Sequence, residues 1–287
     1  MATTKQTLDQ RAMLISLSIP YWGGKAGDER MTDDIVAARK SERDAIETKK
    51  LLIAPAALNT VKAARSRARS FLFEKTSPWI DGGTRVLASA FYFDTMEKIR
   101  EFHTEYEQAV AELIRNYPKL KGEARKRLGD LYKDEDYPSA EMLKAKFGWD
   151  LKVFPIPASG DWRVDLGTKD NAAIQKQIDE QVKQACAVIT RDLWARLMTP
   201  VSKMAERLKD AEAPFRDSLI TNLKEITGLI PAMNVADDPK LNAMAKQVEA
   251  LAKFDPAEVR EDGKLRKKAA DAADDILKKL AGYIGEK

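Results

Sequence analysis

Between residues 174 and 197, Ile174, Ile178, Val182, Ala185, Ile189, Leu193 and Leu197 recur every three or four positions. That spacing lays one continuous apolar stripe along a helix, and a stripe of this length stabilises nothing until other helices cover it. The partners are visible in the same chain. Phe215, Leu219, Leu223 and Ile226 form a second stripe, closed by Gly228 and Pro231. Leu241, Met244, Val248 and Leu251 form a third, and Leu265, Ala269, Ala272, Ile276 and Leu280 a fourth. Upstream, Ile99, Phe102, Tyr106, Val110, Leu113 and Tyr117 keep the spacing in a helix that Asp94 and Glu97 would open as a capping box. Pro118 breaks that helix or starts another, and Pro200 kinks or ends the one before it. The expected class is mainly α: a bundle of long amphipathic helices.

Two regions depart from this period. Met13, Ile15, Leu17 and Ile19 recur at period two, opposite Ser16 and Ser18, and read as a strand near 13–19. In 149–166, Trp149, Leu151 and Val153 alternate on one arm and Trp162, Val164 and Leu166 on the other, with Pro157 to Gly160 as the turn. This predicts a β-hairpin, and with the first strand a small antiparallel sheet. Trp79, Trp149 and Trp162 are expected to be buried near it. The charged stretch from Asp33 to about Leu52 reads as a peripheral helix, residues 55–74 as another, and TSPWIDGGTR at 76–85 as a loop. The expected organisation is a single mainly helical domain over 1–287, with sub-regions 1–168, holding the sheet, and 169–287, all helical.

Charge and residue counts narrow the function classes. The 49 Lys and Arg against 45 Asp and Glu leave only +4, which excludes a histone-like nucleic-acid binder. His103 and Cys186 stand alone, so there is no zinc-finger spacing, no disulfide framework and no second histidine. They read as a packed or surface histidine and a buried structural thiol. No phosphate-binding loop, dinucleotide fingerprint, nucleophile elbow or EF-hand loop occurs. The chain is read as non-enzymatic, with no catalytic, cofactor-binding or metal-binding residue assigned. The apolar run at 13–19 is too short for a signal core, and no run approaches the ~20 apolar residues of a membrane span. The cytoplasm is the expected compartment.

Three groups of residues are candidates for contact chemistry. Lys62, Arg65 and Arg69 lie at i, i+3 and i+7 on one helical face with Arg67 beside them, and Phe71 and Phe73 follow. Such a face can contact phosphates, with rings to stack on bases. Its alternative is a solvated face or internal ion pairs, and the same choice holds for Lys119, Lys121, Arg125, Lys126 and Arg127. Carboxylates at Asp130, Asp134, Glu135 and Asp136, and at Asp237 and Asp238, fit turns and helix caps better than a metal site. Trp79, Asp81, Arg85, Trp162 and Arg163, with Asp161, form the third group, read either as the joint between helices and sheet or as a partner-facing anchor.

Several phrases together, LSLSIPYWGG, RSRARSFLFEKTSPWIDGGTRVL, LGDLYKDEDYPSAEMLKAKF, FPIPASGDWRVDL, RDLWARL and FRDSLITNL, resemble a bacterial, plasmid and phage family catalogued as domain of unknown function 3150. The likeness runs from about residue 12 to 280 and carries no catalytic motif. It implies a context: similar proteins tend to be encoded near a MoxR-type AAA+ ATPase and a von Willebrand factor A-domain protein. The expectation is a non-catalytic scaffold, adaptor or client of a phage or mobile-element system, working in the host cytoplasm if phage-encoded, with protein partners of those two kinds or a second copy of itself. The alternative is a nucleic-acid-binding protein using the Lys62/Arg65/Arg69 face.

Overall fold

The computed structural model describes residues 7–164, 166–210 and 213–285. The chain is 70% helical, with long helices and two small antiparallel sheets. A short α1 (Leu8–Arg11) leads into β1 (Ala12–Ser18). β2 (Lys25–Gly27), α2 (Glu29–Arg39) and β3 (Lys49–Leu51) follow. α3 (Asn59–Lys75), β4 (Thr76–Pro78), β5 (Arg85–Ala88) and α4 (Tyr92–Leu128) come next. α5 (Ala140–Lys144) and β6 (Asp150–Phe154) precede four helices of substance and one short one: α6 (Thr168–Lys209), α7 (Asp217–Met233), α8 (Pro239–Leu251), α9 (Pro256–Glu261) and α10 (Gly263–Gly285). Contacts gather these elements into two compact units.

The first unit comprises residues 1–16, 73–95 and 152–287. Its spine is α6, whose predicted stripe is buried at Ala185, Ile189, Leu193 and Leu197 and continues beyond Pro200 through Val201, Met204 and Leu208, while Ile174, Ile178 and Val182 at its start are only half-buried. α10 lies along α6, and α7 and α8 pack on both α6 and each other. Leu223 and Ile230 of α7, Leu241 and Val248 of α8, and Ala269 and Leu280 of α10 close the core. Proline ends none of these helices. Pro200 lies inside α6, Pro231 inside α7, and Pro118 inside α4 of the other unit. A proline inside a helix costs about 3 kcal/mol, whereas each fully buried aliphatic side chain contributes about 1.5–3 kcal/mol. Here the stripe continues on both sides of each proline, so burial outweighs the lost backbone bond.

The larger sheet has the order β4-β5-β1-β6. β1 runs antiparallel to β5, with Ala12 opposite Ala88 and Ile15 opposite Arg85. β4 and β5 are also antiparallel, with Thr76 opposite Leu87 and Pro78 opposite Arg85. The stretch read as a loop at 76–85 is therefore a β-hairpin. Pro78 is tolerated because β4 is an edge strand. The turn is tied by Asp81, whose carboxylate accepts from Gly83 N (3.0 Å), Thr84 N (2.9 Å) and Thr84 Oγ1 (2.6 Å), while Gly82 supplies φ +74°. The hairpin expected at 149–166 forms only in part. Its first arm is β6, but Pro155 and Pro157 end that strand. Ser159–Asp161 make a single 3₁₀ turn, and Trp162 to Val164 are not strand; Asp165 lies outside the described residues.

The second unit comprises residues 17–72 and 96–151. Val61, Ala64 and Ala68 of α3 share a core with Phe102, Tyr106, Val110, Leu113 and Tyr117 of α4, and with Trp22, Leu52 and Ile53. β2 pairs with β3 in a two-stranded ribbon, Ala26 opposite Lys50. The helix expected over 33–52 is thus displaced and shortened. α2 starts at the Asp28 cap, whose carboxylate accepts from Met31 N at 3.1 Å, and stops where Lys40 turns left-handed at φ 53°. Gly24, at φ +65°, sits where an added Cβ would come 3.0 Å from Ile53, which is why the chain carries glycine there. α4 begins at Tyr92, which places Asp94 in its first turn rather than at a capping box.

Candidate functional site

α3 carries the cations that the spacing grouped, but Arg65 is turned to backbone and Arg67 is held in a surface ion pair. Arg65 is half-buried; its Nε donates to Ile19 O at 2.9 Å, and its guanidinium sits 5.2 Å from the centre of the Tyr21 ring. Arg67 pairs with Glu105 at 2.7 Å. Lys62 and Arg69 are half-buried. A face whose central guanidinium is already bonded to backbone offers less to a phosphate than the sequence promised. In the second basic cluster, Lys121 pairs with Asp134 at 3.2 Å, Arg127 donates to Leu51 O at 2.6 Å, and Arg125 lies over the Tyr132 ring.

The Trp79/Asp81/Arg85 group divides by role. Trp79 is buried, Asp81 ties the β4–β5 turn, and Arg85 is buried at the end of α3. Arg85 Nε donates to Thr76 Oγ1 (3.0 Å), and its Nη2 to Thr76 O (2.7 Å) and Phe73 O (3.3 Å). Arg196 of α6 reaches the same carbonyls, with bonds of 2.9 Å to Phe73 O, 2.8 Å to Glu74 O and 2.7 Å to Thr76 O. Two guanidiniums thus satisfy carbonyls at the C-terminus of α3, where the helix dipole is negative. Burial, and then the neighbouring Arg196, bring Arg85 down to about 10, while Asp192, 2.9 Å from Arg196, opposes the fall. Asp192 itself titrates above the usual carboxylate range, because burial outweighs the two arginines. Arg196 and Asp192 were missed at the level of sequence. Their only signal was the i, i+4 spacing in RDLWAR, which many exposed helices share.

Trp162 and Arg163 do not join this cluster. Trp162 is half-buried, with Nε1 3.3 Å from Asn171 Oδ1, and Arg163 is exposed. Trp149 is half-buried too, stacked on His103 at 4.8 Å between ring centres. Of the three tryptophans expected in the interior, only Trp79 is fully there; Trp22 and Trp194 are the other buried ones. The physical difference is attachment. Trp79 follows a strand paired on the sheet, whereas Trp162 follows a single 3₁₀ turn held by Asn171. Apolar side chains of both arms face solvent: Val164 is 55% exposed and Leu166 52% on the unformed arm, and Val153 and Phe154 at the end of β6 are each 44% exposed.

The acidic residues mostly cap and pair. Asp238 caps α8, accepting from Lys240 N at 2.9 Å, and Asp237 lies 3.8 Å from Arg11. Asp134 accepts from Tyr132 Oη at 2.8 Å. Asp136 lies 2.6 Å from Lys50, a buried lysine that also approaches Asp28 at 3.4 Å and donates to Leu131 O at 2.9 Å. Burial would lower the pKa of Lys50, but the bond and charge of Asp136, then Asp28, outweigh it and raise the group. A lysine so held keeps its proton and serves as a structural cation rather than a nucleophile. Cys186 is half-buried, its thiol pushed up by burial. Among the described residues, no group of three or more His, Cys, Asp or Glu is placed to hold a metal ion, and no helix is long and apolar enough to cross a membrane.

No protein-family model, curated protein or solved structure matches this chain.

Proposed function

We propose that this chain is a non-catalytic protein-interaction module, an adaptor or scaffold of the cytoplasm, which engages its partner through the segment 153–166. The observation that carries the reading is the outward display of four of its described apolar side chains. Val153, Phe154, Val164 and Leu166 are all 44% exposed or more, although their alternation is the pattern of a half-buried hairpin. Exposed apolar side chains grouped in one segment mark a surface that gains from being covered. The segment is also anchored. Ile156 is buried, and Asn171 accepts from both Trp162 Nε1 and Leu166 N at 3.3 and 3.2 Å. Such anchoring reduces the ordering cost of binding.

The partner class comes from the resemblance drawn above: a MoxR-type AAA+ ATPase, with a von Willebrand factor A-domain protein as the second component. The nucleic-acid reading stands behind this one, because Arg65 spends its guanidinium on Ile19 O and Tyr21. The test is binding of the full chain to a purified MoxR-type ATPase from the same genome, using the parent and Val164→Ser/Leu166→Ser. Both positions are exposed, so the variant should fold. Micromolar or tighter binding that the double variant loses by about tenfold supports the proposal, given that a few buried apolar anchors dominate interfaces. Equal binding by both chains would remove the segment from the interface, and no binding by either would remove the partner.

A further inference from the structure

The C-terminal half of α6 and the start of α7 border an open surface groove of about 440 Å³, whose polar lining side chains are all exposed. Lys203 and Arg207 stand at i, i+4 on α6, and Ser218 and Asn222 at i, i+4 on α7, so each helix presents one face to the same space. Arg216 precedes α7 and joins the lining. We propose that this groove binds a small anion carrying two or more phosphates.

Three features support the assignment. The first is uncommitted charge. Lys203, Arg207 and Arg216 make no side-chain hydrogen bond or ion pair among the described residues, whereas Arg85, Arg196, Arg260 and Arg266 all donate inward. The second is that nearby negative charge is already answered. Arg266 donates to Arg207 O, Leu208 O, Asp210 O and Ala213 O, satisfying the negative end of α6. Arg260 lies 2.7 Å from the Asp217 carboxylate and takes it up. Among the described residues, Glu206 is the one carboxylate in the lining, set against three cations. The third is donor geometry. Two guanidiniums offer paired N–H groups that match phosphate oxygens, and the Ser218 hydroxyl and Asn222 amide add neutral donors.

The groove also limits the size and kind of occupant. Its volume falls in the usual range of about 300–1,000 Å³ for small-ligand sites. Among the described residues it holds no aromatic ring on which a base could stack, so the phosphate groups are what it would recognise. A nucleic acid would call for cations strung along an extended track rather than grouped at one short groove.

The experiment is calorimetric titration of the full chain with tripolyphosphate at about 150 mM salt, where long-range surface attraction is largely screened. Citrate and a short duplex DNA are run in parallel. The variants are Arg207→Glu/Arg216→Glu and, as a control with the same change of charge, Lys267→Glu/Lys268→Glu on the exposed side of α10. Lys203→Gln/Arg207→Gln replaces the first variant if its circular dichroism departs from the parent's. The expected result is saturable tripolyphosphate binding, weakened about tenfold or more for each arginine removed and nearly unchanged in the control. Absence of saturable binding, or an equal loss in the control, overturns the site. Citrate binding as tightly as tripolyphosphate overturns the phosphate class. DNA binding that depends on the same arginines, and that tripolyphosphate does not displace, overturns the small-ligand reading in favour of nucleic acid.

Discussion

Arg85 and Arg196 donate to the same oxygen: each places Nη2 2.7 Å from Thr76 O. One guanidinium comes from β5 and the other from α6, so the last carbonyls of α3, the hairpin and the long helix are fixed at one point. Two like charges are brought close for this, and their mutual repulsion is one reason that Arg85 falls to about 10.

Removing Arg196 should therefore cost far more than a surface arginine. Arg196→Ala deletes bonds to Phe73 O, Glu74 O and Thr76 O and leaves Asp192 without its 2.9 Å partner. Charge-assisted hydrogen bonds contribute about 1.5–3 kcal/mol each but are not additive, so a loss of about 2–4 kcal/mol is expected in denaturant unfolding. Arg196→Lys keeps the charge but not the fork, and should recover only part of it. A loss below about 0.5 kcal/mol, the range of ordinary surface substitutions, would reduce this point to a surface contact.

The second prediction concerns acid. The Asp28 carboxyl is held below its ordinary 3.8 first by the Met31 N–H and then, against the penalty of burial, by Lys50. Because the folded group titrates below the unfolded one, its stabilisation is present above about pH 3.8 and is lost as pH falls through the folded value. Lys50→Met removes the ammonium and leaves the Met31 bond in place, so Asp28 should titrate higher. The melting temperature of the variant should lie below the parent's at neutral pH and start its acid decline at a higher pH. Superimposed acid limbs for the two proteins would refute the coupling.

A third comparison separates two tryptophans of the same size. Trp194 is 2% exposed and stacks on Tyr283 at 4.8 Å, while Trp162 is half-buried beside Asn171. Trp194→Ala should cost about 3–5 kcal/mol, the usual loss for a buried large ring. Trp162→Ala should cost no more than about 1 kcal/mol, since the ring is only partly removed from water. Equal losses in urea unfolding would place Trp162 in the core after all and take it out of the exposed segment.

What the sequence determined by itself is the local pattern. The α6 stripe from Ala185 to Leu197 is legible because a helix has one period, and burying one face of it needs only that apolar residues recur at that period. The same reasoning located β1, because alternation at period two is equally local. Caps such as Asp238 were legible for the same reason, since the bonds close within three residues. Tertiary structure decided everything that depended on a distant competitor. Prolines that stop isolated helices are carried through at 118, 200 and 231, because buried residues on both sides outweigh one missing bond. Pairing likewise went elsewhere than the turn signals suggested. β1 took β5, and the arm at Trp162–Val164 was left without a place in the sheet. The fate of each arginine was the least legible. Arg65 and Arg196 end on backbone carbonyls more than forty residues away, while Arg207 and Arg216 face an open groove. Nothing in their immediate sequence distinguishes the two outcomes, because what decides them is whether backbone carbonyls left without a partner happen to be packed alongside.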